Sequence, residues 1–249
     1  MFALTFTSIL LGTLATRSQT DAAATHLPEE PPPRMIRTQA EFIEMPHTIF
    51  TRLMAQPRTS ANDSDLRAAC AKLIEAGEAK IIESLCVNAL PGQSATSENI
   101  HEFIYPTDYD LGGWFVDPET GQVSEPVKPK SIVGGPPLPP TAFDTKNTGS
   151  IFKVEAQIDT RTPIVDLKFT PKIVHHTGQD LWGLWEKNGV RIENSMPRFY
   201  ILSVKSGVTV VAGQPLMVAG LSPRNKDGWI NSSRKVMTFI RADIITIEK

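Results

Sequence analysis

Apolar residues fall on every second position on either side of a turn: Phe152, Val154, Ala156 and Ile158, then Thr160-Arg161-Thr162-Pro163, then Val165, Leu167 and Phe169. Successive side chains of a strand point to opposite faces, so this spacing predicts two half-buried strands joined as a hairpin. Phe199, Ile201 and residues 208–211 repeat the signal, and after Gly213-Gln214 the segments 216–218 and 235–247 add further β-prone runs. The predicted fold class is α+β, mainly β. It comprises a short N-terminal helix and an antiparallel sheet built largely from residues 143 to 247.

The helix is placed by a different period. Asn62 or Asp63 is a suitable cap, Leu66, Ala69, Cys70, Leu73 and Ile74 share one face up to about Ala76, and Gly77 is a stop. Residues 79–87 read as a strand, Pro91-Gly92-Gln93 as a turn, and 97–105 as a second strand. Residues 35–54 hold enough Ile, Phe and Leu for secondary structure, divided at Pro46. Two stretches, 106–140 and 176–197, lose the periodicity and read as irregular. The expected organisation is a candidate signal peptide over 1–24, a proline-containing linker with short elements over 25–61, and a small α/β segment over 62–110. A Pro/Gly-rich loop over 111–140 and a β-rich domain over 141–249 complete it.

Composition narrows the function classes. The chain has 249 residues, 41% of them hydrophobic, with 20 prolines, 16 glycines and a formal net charge of −2. Its basic residues are scattered, which leaves no electrostatic footprint for nucleic acid. Residues 2–15 form an apolar run of signal-peptide length, followed by Ala22-Ala23-Ala24, so export to the cell envelope is expected. No cysteine follows that run to carry a lipid. Cys70 and Cys86 are the only cysteines, and the sequence leaves open one disulfide or two buried free thiols.

Candidate chemistry is sparse. His175 and His176 are adjacent, so on a strand they point apart and do not chelate one ion. Asp108, Asp110, Asp117 and Glu119 lack the spacing of a helical calcium loop. Ser94 or Ser97 with His101 has no nucleophile elbow, and Gly134-Gly135 lacks the Lys-Ser/Thr of a phosphate loop. No catalytic, cofactor-binding or metal-ligating residue is therefore assigned and no cofactor is expected. Tyr105, Tyr109 and Trp114 are read as anchors of the following loop against the β core.

Four blocks in order carry a resemblance. They are Gly92-Gln93-Ser94-Ala95 leading into residues 102–109, residues 140–149 around Phe143, residues 196–221 from Met196-Pro197-Arg198-Phe199 to Gly220-Leu221, and residues 235–244. Together they resemble the C-terminal secretin homology region of bacterial type II and type III secretion proteins, in the divergent form common in verrucomicrobial genomes. The resemblance spans about residues 68–247. It implies a structural, non-enzymatic component of a protein secretion or pilus apparatus in the outer membrane: a β-barrel whose strands come from many protomers. The implied partners are further copies of the chain or other secretion-apparatus proteins. The residues it marks as structural are Gly92, Gln93, Tyr105, Pro106, Phe143, Gly149, Pro197, Phe199, Gly213, Gln214, Gly220 and Leu221. The chain departs from the family over 222–233, which does not resemble the lip segment, and has little room for ring-forming modules before the barrel. Two other readings stay open: a soluble periplasmic β-domain binding another envelope protein, and a hydrolase with a loop-borne site. Within the resemblance, residues 207–221 are expected to form two strands joined at Ala212-Gly213-Gln214. Gly213 would sit at positive φ, and Pro215 at the first residue of the returning strand or on an edge.

Overall fold

Val236, Met237, Thr238, Phe239 and Ile240 are buried in succession, a run with no polar side because the strand that holds them is covered on both faces. The computed structural model describes residues 32–57, 62–109, 140–159, 161–187, 190–225 and 228–247. In chain order the elements are β1 (Arg34–Pro46), α1 (His47–Met54), α2 (Ser64–Glu75), β2 (Lys80–Ala89), β3 (Ser94–Tyr109) and β4 (Pro140–Ile158). They continue with β5 (Ile164–Lys187), β6 (Val190–Ser203), β7 (Ser206–Val211), β8 (Leu216–Leu221) and β9 (Arg234–Thr246). The fold is thus mainly antiparallel β with two short helices.

The strands form two sheets. One has the order β2-β1-β9-β8; the other runs β3-β4-β5-β6, with β7 also pairing β5. β6 lies beside the C-terminal part of β5 from Lys172↔Ser203 onward, and β7 beside its N-terminal part from Ile164↔Val211 to Phe169↔Ser206. Ile36, Ala40 and Phe42 of β1, with Val236 and Ile240 of β9, meet Phe152, Val154, Val165, Leu167 and Phe169 of the second sheet in one sandwich core. The opposite face of the first sheet packs Ile43, Met45, Met237 and Phe239 under the helices, against Leu53 and Cys70. β9 is the layer between, which is why it reads as a continuous apolar run.

Local chemistry sets the helix ends. Pro46 closes β1, and the next amide, His47 N, donates to Ser233 O at 2.8 Å as α1 begins. Asn62 Oδ1 accepts from Ser64 N at 3.0 Å at the start of α2. Asp63, at the cap position, turns its carboxylate to Met217 N at 2.8 Å and so ties the helix to β8. Gly77 ends α2 at φ +74°, with Glu78 N and Ala79 N donating back to Leu73 O.

Several expectations are corrected. Residues 176–197, read as irregular, are strand: they complete β5 and open β6. Register shifts between His176 and Gly178 and between Leu181 and Gly183 break the alternation that would have revealed them. Residues 106–109 belong to β3, with Pro106 in an edge strand, where its missing N–H costs no ladder bond on the open side. The rest of the 106–140 stretch, up to 139, lies outside the described residues. Residues 35–54, expected to hold secondary structure divided at Pro46, fall in the 13-residue strand β1, flanked by β2 and β9, and in α1, which follows it. The single sheet expected over 143–247 is two sheets, to which residues before 143 contribute β1, β2 and β3.

The segment 207–221 is not a hairpin. β7 pairs with β5 and β8 with β9, so the link Ala212-Gly213-Gln214-Pro215 crosses from one sheet to the other. Ala212 N donates to Pro163 O and Gly213 N to Ala242 O, each at 2.7 Å, fixing one residue to each layer. Gly213 does sit at φ +83° and Pro215 immediately precedes β8. The turn chemistry was readable; the partners are decided by the sandwich core.

Candidate assembly surface

The second sheet changes character along its length. β5 has 24 residues, roughly 80 Å of extended chain, whereas its buried alternation ends at Ile173 and Val174. Beyond that level Ile104, Phe143, Leu181 and Trp182 are exposed, Trp182 by 75%. This part of the sheet projects past the sandwich. Among the described residues β3 pairs only with β4, and β6 and β7 only with β5, so both edges of the sheet present unpaired backbone donors and acceptors.

The projecting part is curved. In a flat sheet β3 and β6, three strand spacings apart, would be separated by roughly 14 Å. Instead the Phe103 ring of β3 stacks on His176 of β5 at a centroid distance of 4.6 Å and meets Phe199 of β6 edge-on at 5.8 Å. Tyr105 also reaches Phe199 at 5.8 Å, and its hydroxyl donates to Asp144 Oδ2 at 3.1 Å. An Asp180–Arg198 ion pair ties β5 to β6 on the same projection. The curl follows from these aromatic contacts and from the register shifts, each of which adds local twist.

The structural residues expected from the sequence fall into separate groups. Tyr105 and Phe199 meet in the aromatic cluster, Pro106 pairs with Phe143 on the neighbouring strand, and Pro197 pairs with Gln179. Gly149 marks the border between the two parts of the sheet: its φ is +109°, and a Cβ there would collide with Asn99 O. Gly92, at φ +78°, donates to Ala156 O at 2.7 Å, and Gln93 N donates to Leu90 O at 3.0 Å, closing the turn into β3. Gly213 and Gln214, whose N donates to Val211 O at 3.1 Å, make the crossover. Gly220 lies under Phe50 of α1, where a Cβ would stand 2.7 Å from Cζ, and Leu221 pairs with Val236. Phe103 and His176 were not among the residues marked. Their signal was the coincidence of aromatic residues in two separated strands, which pattern alone does not pair.

The reactive groups are placed away from one another. Ser97 and His101 are four residues apart on one strand, roughly 13 Å, and Ser94 is farther still. Both thiols are free. Cys70 is buried beside Met237 Sδ at 3.8 Å, and burial pushes its thiol up to about 11, so it stays protonated at neutral pH. Cys86 is exposed on β2, correcting the reading of two buried thiols. Among the described residues no group of three or more His, Cys, Asp or Glu side chains is arranged to hold a metal ion, and no helix is long and apolar enough to cross a membrane.

Solved structures to which the chain is similar include secretins. The type II secretion system secretin GspD of E. coli K12 matches with 11% identity and a TM-score of 0.40, covering 86% of this chain and 50% of that one. Aeromonas hydrophila ExeD matches at 14% and 0.43, covering 86% and 49%. The type II secretin XcpQ from Pseudomonas aeruginosa matches at 11% and 0.39, covering 88% and 61%. The chain thus spans about half the length of the first two. No protein-family model matches, and no curated protein matches.

In the projection β3 and β6 of one copy already approach each other across the curl, whereas in the base the two unpaired edges are geometrically compatible with those of another copy. Every pairing in the second sheet is antiparallel, and β3-β4-β5-β6 is an even number of strands. β3 and β6 therefore run in opposite directions, and β3 of a second copy laid beside β6 of the first continues the antiparallel order. The join is head-to-tail: it consumes one edge of each copy and leaves another at the far end.

Proposed function

We propose that the chain is a secretin-like structural subunit, which builds a multi-copy β-barrel of a bacterial secretion or pilus apparatus in the outer membrane. The observation that supports this most is the projecting curved sheet with an open, direction-matched edge on each side. Successive copies add strands until the ring closes, which removes the exposed edges that a single copy carries. The sandwich and helices then serve as the base of each protomer, and Ile104, Phe143, Leu181 and Trp182 supply apolar surface on the wall. The role is structural rather than catalytic, and its place is the cell envelope, in keeping with the apolar run at residues 2–15.

Electron microscopy of the detergent-extracted full chain tests the reading. Ring-shaped particles with strand-rich walls are the expected result. A monodisperse monomer that stays soluble without detergent would instead establish a periplasmic β-domain and overturn the barrel.

A further inference from the structure

The outer face of the second sheet is electrostatically graded from one edge to the other. In its base, Phe152, Val154 and Ala156 of β4 and Val165, Leu167 and Phe169 of β5 point into the core, so the alternate residues share the opposite, solvent-facing side. One row across the sheet on that side is Glu98, Ile151, Lys172 and Ser203. The row below it contains Thr96, Lys153 and Thr170, and the next Ser94, Glu155, Lys168 and Gly207. Lys205, following buried Val204 whose N donates to Pro171 O at 3.2 Å, sits where β6 gives way to β7. Glu102 lies four residues beyond Glu98, on the same face of β3.

The β3 edge therefore carries Glu98 and Glu102, and the β5 to β7 side carries Lys168, Lys172 and Lys205, with one carboxylate, Asp166, that accepts from the Thr209 hydroxyl. Lys153, Lys168 and Lys205 together line an open groove of about 670 Å³ on this face. Its one carboxylate, Glu155, faces Lys168 at 3.5 Å. Among the described residues no ion pair engages Lys153, Lys172, Lys205, Glu98 or Glu102. The groove runs across the face from Ser94 of β3 to Lys205, Ser206 and Gly207, on the side where the head-to-tail join would place another copy's β3.

We propose that Lys205 of one copy pairs with Glu98 of the next, and that this charge match sets the register of the subunit junction. The inference rests on the barrel reading and names the contact that joins its protomers. Unstaggered continuation of the rows puts the next copy's Glu98 beside Ser203 and diagonal to Lys205; a stagger of two residues puts it directly opposite Lys205, within the reach of a cross-strand pair. A slip of one residue would turn Glu98 and Glu102 to the core side, so only even staggers keep the charges in contact. A two-fold join of two β3 edges brings the Glu98 and Glu102 edge against itself, a like-charge contact that disfavours it relative to the head-to-tail join.

Charge reversal in the full chain tests it, read as the rate and final fraction of ring particles in detergent. Glu98→Lys and Lys205→Glu should each slow assembly roughly tenfold, with the deficit growing at low salt, because like charges then face each other across the junction. The double variant should assemble within a few-fold of the unaltered chain. Both positions are exposed in the single chain, so unchanged thermal midpoints of the unassembled variants are expected. Single reversals that assemble normally, or a double variant no better than either single, overturn the pairing while leaving the barrel intact. An unaltered chain that never forms rings overturns the barrel reading and the junction with it. As a second measurement, Glu98→Cys mixed with Lys205→Cys should give inter-subunit disulfide dimers on oxidation; dimers no more abundant than from either variant alone overturn the contact.

Discussion

The second sheet holds two regimes in the same four strands. In its base, alternation is strict and every inward residue from Phe152 to Ala156 and from Val165 to Phe169 meets the first sheet. In its projection the strands continue hydrogen-bonded, yet among the described residues no second layer covers them, Trp182 and Ile104 are exposed, and the register shifts twice between β5 and β6 and twice between β3 and β4. Backbone pairing is common to both parts; apolar burial is confined to one. Since burial supplies most of the free energy that offsets chain ordering, the base holds the protomer together and the projection is left available for other contacts.

The sharpest way to break this comparison is to truncate one aromatic in each part. Phe152→Ala leaves a cavity in the sandwich and should cost about 3–5 kcal/mol by denaturant unfolding. Trp182→Ala, at a side chain that is 75% exposed, should move the stability of the unassembled chain by no more than about 0.5 kcal/mol. Comparable losses would mean that the projection contributes to the core after all.

Glycines at the borders come next. Gly149→Val should cost about 3 kcal/mol, since a side chain there meets both a φ of +109° and the Asn99 carbonyl. Gly213→Val, at φ +83° with open space around it, should cost about 2 kcal/mol from backbone strain alone. Gly207 has no positive φ and only ordinary contacts, so its valine variant should cost less than about 1 kcal/mol. Equal midpoints for the Gly213 and Gly207 variants would remove the crossover from Gly213.

These sites also show what was legible in the sequence. Period-two spacing located β4 and the first part of β5, β-prone composition located β9, the cap and glycine stop located α2, and positive φ at Gly213 followed from turn chemistry. Pairing was not legible, because Val208 to Val211 and Leu216 to Val218 look like adjacent strands of one hairpin. Only the buried faces of β5 and β9 assign them to different sheets. Secondary structure over 35–54 was legible but the strand type of β1 was not: proline-rich sequence precedes it, and its second face changes from polar at Arg37, Gln39 and Glu41 to apolar at Ile43 and Met45. The aromatic cluster needed curvature, which no local pattern encodes.

A smaller effect of opposite sign is expected within the sandwich. Thr238 Oγ1 is buried with no hydrogen-bond partner, so it carries the cost of lost hydration without compensation. Thr238→Val keeps the shape and removes that cost, and should raise stability by about 1 kcal/mol. A loss of stability on denaturant unfolding would show the hydroxyl to be satisfied in solution.

The smallest expected effect separates the two parts by pH. Glu44 of β1 lies half-enclosed: burial alone would raise its pKa, but hydrogen bonds and charge from Lys80 and Arg234, the latter at 2.5 Å, outweigh burial and hold it below the ordinary 4.5. A carboxylate depressed by folding adds stability that is fully present above its unfolded pKa. That stability is lost as pH falls through the lower, folded value. The base should therefore lose stability on acidification below about pH 4.5, and Glu44→Gln should flatten that limb while costing about 1 kcal/mol at neutral pH. Trp182→Ala, altering only the projection, should leave the acid limb unchanged. Thermal midpoints measured from pH 7 down to about pH 3 for the unaltered chain and both variants decide this. An acid limb that survives Glu44→Gln at full slope would assign the pH dependence to other carboxylates.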